Sequence, residues 1–206
     1  MARVVERDCK VCRKYGMKLY LKGARCETDK CPVDPRKKKM RLIKSKKTSE
    51  YGLQLREKNK VKIYYGVRER QFRRYFEIAK KQKGVTGEIL LQLLERRLDN
   101  VVYRANFASS RNMAKQIVAH GAILVNGRRT DRPGYIVKEG DEIKVKNNSK
   151  WYDKIKGNIE AFKHRQVPTW IEVNEDDLSI KIVRYPTREE VSIPVDEQLI
   201  INLYSK

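Results

Sequence analysis

Hydrophobic positions first fall into a helical rhythm at residue 49. In SEYGLQLREKNKVKIYYG, Ser49 stands where an N-cap belongs, Tyr51 and Leu55 lie one turn apart, and Gly66 supplies the stop. VRERQFRRYFEIAKKQKG predicts a second helix, with Phe72, Phe76 and Ala79 on one core-facing stripe and Gly84 closing it. Thr86 is positioned to cap a third, GEILLQLLERRLDNVVYR, which is apolar around most of its circumference and therefore central. Residues 49–96 thus read as a small helical domain.

The pattern then shortens. Ser109 or Ser110 caps a helix running to His120, with Met113, Ala114, Ile117 and Val118 on one arc and Gly121 at its end. Arg111 and Lys115 share the complementary side with Asn112 and Gln116, so the basic side is expected to face outward. Ile123 and Val125 alternate into Asn126-Gly127, the strongest short turn signal in the chain. Pro133-Gly134 turns the chain again, and Ile136-Val137 and Glu142–Val145 supply further strand. Residues 97–160 therefore predict a compact α/β module inserted beside the helical domain.

The remainder offers a helix, WYDKIKGNIEAF, strands near Trp170–Val173 and Ser179–Val183, and a last apolar strand, LIINLY. Residues 165–206 are expected to return and complete the helical domain, while residues 1–48 form a basic cysteine-bearing knuckle and linker. The fold class is α+β: an N-terminal four-Cys knuckle, a small helical domain and an α/β module.

Charge changes this picture from a fold to a partner. The 206 residues carry 48 Lys and Arg against 26 Asp and Glu, a formal net charge of +22. Solubility is served by far smaller charges, so an acidic partner is implied, with nucleic acid ahead of an anionic membrane surface. The excess is 17 basic over 5 acidic residues in 1–48 and 27 over 13 in 49–166, but 4 against 8 in 167–206. The polyanion should meet the first two segments, and the acidic tail should face protein. No apolar run reaches the 18 or so residues of a membrane span, and MARVVERDCK lacks the apolar centre of a signal peptide, so a reducing cytoplasmic setting is expected.

All four cysteines, Cys9, Cys12, Cys26 and Cys31, fall in the first 31 residues, spaced C-x2-C-x13-C-x4-C. Disulfides are unexpected in a reducing compartment. Two close pairs on either side of a loop suit one tetrahedral structural zinc, and the same thiolates could hold an iron–sulfur cluster. Gly16 and Gly23 lie where the loop calls for positive φ, and neighbouring Arg and Lys are expected to lower the thiol pKa values. Metal ligation would order a segment too short and too charged to fold by burial, presenting Arg13, Lys14, Lys18 and Lys22 as a rigid basic surface.

The basic run RKKKMRLIKSKK at 36–47 is predicted to follow a phosphate backbone. Further phosphate contacts are expected from Arg70, Arg73 and Arg74 of the second helix, and from Arg111, Lys115, Arg128, Arg129 and Arg132 of the module. Asn126 reads as a turn residue. Catalysis is not indicated. His120 and His164 each stand alone, with no Gly-rich phosphate loop and no carboxylate pair beside either. The alternative is a four-Cys zinc DNA-binding regulator, which would need a recognition helix for the major groove.

RLDNVVYR (97–104) followed by SSRNMAKQIVAHGAILVNG (109–127) resembles the S-four RNA-binding module. YGLQLREKNKVKIYYGVRERQF (51–72) and DEQLIINLYSK (196–206) resemble the flanks found in one group only, the S-four family of small-subunit ribosomal proteins, and the cysteine spacing is similar to its metal-bearing form. The resemblance adds Arg97, Arg104 and Ser110 to the RNA-binding set. It implies a structural constituent of the small subunit that binds a junction in the 5′ domain of the rRNA, nucleates assembly, sits beside the channel through which mRNA enters, and contributes to translational accuracy with the neighbouring ribosomal protein five. It also implies repression of the chain's own translation. The family's Pro-Pro-Gly-Gln-His-Gly stretch is replaced here by the basic run at 36–47, so the rRNA contacts of that stretch do not carry over. Junction recognition of this kind reads backbone geometry and 2′-hydroxyls rather than base edges hidden in the deep groove of A-form RNA.

Overall fold

The computed structural model describes residues 8–34 and 49–205, so the basic run at 36–47 lies outside the described residues. The helices are α1 (Asp8–Tyr15), α2 (Glu50–Tyr65), α3 (Glu69–Lys81), α4 (Thr86–Glu95), α5 (Leu98–Arg104), α6 (Arg111–Ala119), α7 (Tyr152–Ala161) and α8 (Glu197–Tyr204), with a 3-10 turn at Gly23–Cys26. The strands are β1 (Ile123–Val125), β2 (Arg128–Arg129), β3 (Glu142–Val145), β4 (Ile171–Asn174) and β5 (Ser179–Ile182). The class is α+β.

Local chemistry sets the ends of α2. The Ser49 hydroxyl accepts the Gly52 N–H at 3.3 Å. At the other end Gly66 turns left-handed at φ 61°, which lets the Val67 N–H reach back to the Lys62 carbonyl at 2.8 Å. α2 packs on α8, and α3 and α8 both pack on α4. The stripe on α3 is buried as expected: Phe72, Phe76 and Ala79 are all 2% exposed or less. Each buried phenyl contributes about 1.5–3 kcal/mol. Val11, Leu19 and Val33 of the cysteine segment join this same core, so that segment is anchored by burial.

A second core belongs to the module. Its antiparallel sheet runs β2-β1-β3-β5-β4 and packs its apolar residues with those of α5, α6 and α7. Ile143 of β3 faces Ile180 of β5, which in turn faces Val173 of β4.

Four expectations change. The helix predicted across 87–104 breaks at Arg96-Arg97, where Arg97 is extended (ψ 136°) and its neighbours pair with a returning segment: Leu98 N–H to the Tyr135 carbonyl, Val137 N–H to that of Arg96. Ile136-Val137 makes only an isolated bridge to Arg97 rather than a strand. LIINLY is helical, within α8, because the Asp196 carboxylate caps it, accepting the Gln198 and Leu199 N–H groups. A short apolar run has no period to separate strand from helix, and the cap decides. Finally, residues 165–206 are divided: β4 and β5 extend the module's sheet, while Val191, Ile193 and Ile200 complete the helical core. In a smaller adjustment, Val85 holds the cap position before α4, and Thr86 is its first residue.

Candidate nucleic-acid interface

The interior between the two cores is polar. Glu95, fully buried, accepts the Tyr65 hydroxyl at 2.6 Å, the Asn100 amide at 2.7 Å, and Arg104 through Nε at 3.0 Å and Nη2 at 2.7 Å. Burial pushes this carboxyl up, but the Arg104 charge and these hydrogen bonds outweigh it and hold its pKa below the ordinary value. Asn100 in turn accepts Arg111 Nε at 2.9 Å. The Arg111 guanidinium lies 3.8 Å from the centroid of the Tyr64 ring and 4.4 Å from that of Tyr103. Its Nη2 has no hydrogen-bond partner among the described residues, and the aromatic faces supply the compensating attraction. Arg97 is 2% exposed, bidentate to Asp99 at 3.0 and 2.6 Å, and donates to the Tyr75 hydroxyl at 2.9 Å.

These contacts correct the expected RNA-binding set. Arg97, Arg104 and Arg111 are committed inward, and Arg111 does not present itself on an outward basic face. Ser110 is 9% exposed and its hydroxyl caps α6, accepting the Met113 N–H. Lys115 donates its ammonium to the carbonyl of Gly66, tying α6 to the end of α2. A Cβ at Gly66 would displace that flexible ammonium, and the left-handed φ of 61° is what favours glycine there. Asn126 is indeed a turn residue, at φ 49°, with its amide bonded to Asp141 at 2.8 Å and accepting the Glu142 N–H at 2.9 Å.

Six arginines of the expected set remain at the surface. Arg70, Arg73 and Arg74 of α3 are exposed, as are Arg128, Arg129 and Arg132 of the hairpin and the turn that follows it. None enters an ion pair among the described residues. The two groups come from elements that touch. Tyr75 of α3 donates its hydroxyl to the Gly134 carbonyl at 3.3 Å, and a Cβ at Gly134 would strike Gln71 at 2.3 Å. In sequence Arg70 and Arg74 adjoin the α3 residues that make these contacts, and Arg132 lies two residues before Gly134, while the Arg129 side chain lies over Gly121 at the end of α6.

In the N-terminal segment, Cys9 and Cys12 lie on α1, Cys26 ends the 3-10 turn, and Cys31 follows a turn closed by its N–H on the Thr28 carbonyl. All four are free thiols. The predicted lowering of thiol pKa does not hold for Cys12 or Cys26. Burial pushes Cys12 up to about 11 against the Leu19 N–H, with the other three thiols adding to the rise, and burial likewise raises Cys26 against the Lys22 N–H at 3.4 Å. The donor set, four sulfurs from two turns with N–H groups aimed at two of them, fits zinc chemically. Among the described residues, no three ligating side chains close into a metal-holding group.

Of the basic residues expected on this segment, Lys14 and Lys22 are exposed. Arg13 is half-buried against the Cys9 carbonyl, and Lys18 pairs with buried Asp34 at 3.0 Å. Glu27 ties the segment to the module. It holds Arg165 Nε at 2.5 Å and His164 at 2.9 Å, while Arg165 Nη2 donates to the Ser109 carbonyl at 3.2 Å. Gly23 approaches the same Ser109, where a Cβ would come within 2.8 Å of the carbonyl oxygen.

This docking leaves a cleft of about 470 Å³ whose walls include Tyr20, Tyr103, Asn106, His164, Arg165 and Gln166. Sequence reasoning missed it, since its walls come from five separated stretches. The one available signal was a tyrosine set between two cysteine pairs.

Comparison with known proteins fits this arrangement. The family described as "Ribosomal protein S4/S9 N-terminal domain" matches residues 3–95, and that described as "S4 domain" matches 96–143. Proteins named "Small ribosomal subunit protein uS4" are similar over the whole length of both chains: 51% identical in Thermoanaerobacter pseudethanolicus, 52% in Acetivibrio thermocellus and 50% in Thermodesulfovibrio yellowstonii.

Proposed function

The chain belongs to the ribosomal protein S4 family, and from that premise we propose that it reads a helical junction in the 5′ domain of small-subunit rRNA early in subunit assembly. Its role is structural and rRNA-binding within the small ribosomal subunit, and it is not an enzyme. Among the described residues no helix is long and apolar enough to cross a membrane.

The observation that carries the junction reading is a pair of exposed arginine groups on elements that touch at Gly134, with Arg70, Arg73 and Arg74 on α3 and Arg128, Arg129 and Arg132 on the hairpin and the turn after it. Two rigid basic surfaces at a fixed relative position measure the geometry of the strands that leave a junction, which a single patch cannot do. The interior ion pairs hold that relative position.

The acidic tail supports a protein partner. Glu172, Glu175, Asp176, Asp177 and Glu189 are exposed in the segment 167–206, which has 4 basic against 8 acidic residues. Ribosomal protein five is the neighbour the family resemblance implies, with the mRNA channel close by and translational accuracy the function the two would share. The four cysteines would hold one structural zinc, supported by the two N–H groups aimed at Cys12 and Cys26 and by the free state of all four thiols. When bound, the ion would supply a redox-silent crosslink between α1 and the turns carrying Cys26 and Cys31.

The test is competition at matched salt among a 5′-domain transcript, the same RNA with its junction replaced by continuous duplex, and duplex DNA. Preference for the junction transcript is expected. Equal affinity for continuous RNA duplex would remove the junction reading, and preference for DNA would favour the regulator.

A further inference from the structure

We propose that the cleft between the cysteine segment, α5 and the 164–166 stretch receives one unpaired ribonucleotide of the bound RNA, with Tyr20 as its stacking platform. This rests on the RNA-binding reading above and extends it to a second kind of contact. The six surface arginines address backbone; this cleft addresses a base.

Three observations converge on it. Its volume, about 470 Å³, falls in the range of roughly 300–1,000 Å³ that small ligands occupy. Its lining combines aromatic rings (Tyr20, Tyr103) and amide edges (Asn106, Gln166), beside Lys18 and Arg165, whose charges are met by Asp34 and Glu27. That is the composition that recognises a splayed-out base: a flat surface to stack on and hydrogen-bonding groups for its edge. The third observation concerns Tyr20 alone. It sits at φ 52°, a left-handed conformation that a bulky aromatic residue rarely adopts, and it is 38% exposed. A strained side chain that does not fill a core is held for another purpose.

The surroundings supply the holding. Leu19, beside Tyr20, is fully buried in the helical core. On its other side the Lys22 N–H is fixed on Cys26 Sγ, and Glu27 pins the same segment to His164 and Arg165 on the far wall of the cleft. The cysteine segment therefore has a role beyond displaying lysines: it positions one aromatic ring opposite the module. Stacking with little demand on base identity would suit an unpaired nucleotide at a junction, where base pairing leaves single residues exposed.

The experiment measures the affinity of the full chain for the 5′-domain transcript with Tyr20→Ala, Tyr20→Phe and Gln166→Ala, and photo-crosslinks a 4-thiouridine-substituted transcript to the wild-type protein. Tyr20→Ala should weaken binding about tenfold, in the range for loss of one base–aromatic stack, and Tyr20→Phe should stay within about twofold of wild type. Gln166→Ala, on the exposed opposite wall, should weaken binding about threefold, as loss of a single edge hydrogen bond would. The crosslink should fall on the peptide carrying Tyr20. Tyr20→Ala keeps a Cβ in the left-handed conformation and removes only a partly exposed ring, so its melting temperature should stay close to that of Tyr20→Phe and is measured alongside. Unchanged affinity for both alanine variants, with wild type binding normally, would overturn the cleft while leaving the RNA-binding reading in place. A wild-type chain that fails to bind the transcript would overturn both.

Discussion

Arg104 sets two guanidinium nitrogens on the carboxylate of Glu95, at 3.0 and 2.7 Å, and the pair joins the end of α4 to the end of α5 where the two cores meet. Glu95 is completely buried, so removing its partner leaves an uncompensated charge in the interior. Arg104→Met should cost about 3–5 kcal/mol of stability in urea unfolding. Glu95→Leu combined with Arg104→Met should recover part of that stability, because neither member of the pair is then stranded, while buried Arg111 loses a nearby carboxylate and limits the recovery. A double variant as unstable as the sum of the singles would show that the pair does not act as a unit.

Burial of some arginines and exposure of others separates stability from affinity. Arg111→Ala removes a cation held between Tyr64 and Tyr103 and should destabilise the fold, while the protein that remains folded binds RNA with an unchanged salt dependence. Arg70, Arg73 and Arg74 changed together to Gln should behave oppositely. Unfolding should be unaffected, and the slope of log affinity against log salt should fall by roughly 0.7–0.9 for each phosphate no longer neutralised. If the α3 triple variant keeps the full slope, that helix does not touch backbone.

Acid should loosen the tail around Glu190. Glu190 is desolvated, which raises its pKa, but Arg184 at 2.8 Å, the Thr187 N–H and the threonine hydroxyls outweigh this and hold it at about 2. A carboxyl depressed in the folded state contributes stability above its unfolded pKa near 4.5, and loses it as pH falls through the folded value. Exchange protection around Thr187–Val191, relative to the intrinsic rate at each pH, should therefore fall between about pH 4.5 and pH 2. Glu190→Gln should already exchange faster at neutral pH and lack that acid transition. Retention of the transition in the variant would assign it to another group.

How much of this could be read from the chain depended on how local the determinant was. Ser49 and Gly66 bracket α2 within a single helix, and the alternation into Asn126-Gly127 is complete over a few residues, so both were legible. Arg97 and Arg111 were misread because their partners, Tyr75 and Tyr64, lie 22 and 47 positions away on α3 and α2. An arginine on a polar stripe looks the same in sequence whether the next layer is solvent or a tyrosine face. The break at Arg96-Arg97 was hidden for a related reason: it exists to let residues 135–137 pair there, and a helix pattern carries no trace of a segment that returns forty residues later. The cleft at Tyr20 is a product of docking and has no contiguous signature at all.

The cysteine segment is fastened in two ways, and Cys9→Ser separates them. Its apolar residues Val11, Leu19 and Val33 are buried in the helical core, while Glu27 reaches across to Arg165. If a metal supplies the ordering of the charged loop between the cysteine pairs, Cys9→Ser should abolish exchange protection over residues 8–34 and slightly soften α2, whose Val61 shares their core. The module, with its separate core, should be unchanged. Metal content identifies the agent: about one zinc per chain without iron expected, against about four iron with matching sulfide for a cluster on the same thiols. A chain purified under reducing, oxygen-free conditions with neither metal, and with the segment fully protected, would mean that burial and the Glu27 tie suffice. In that case the four thiols would be core residues, and Tyr20 would owe its position to packing alone.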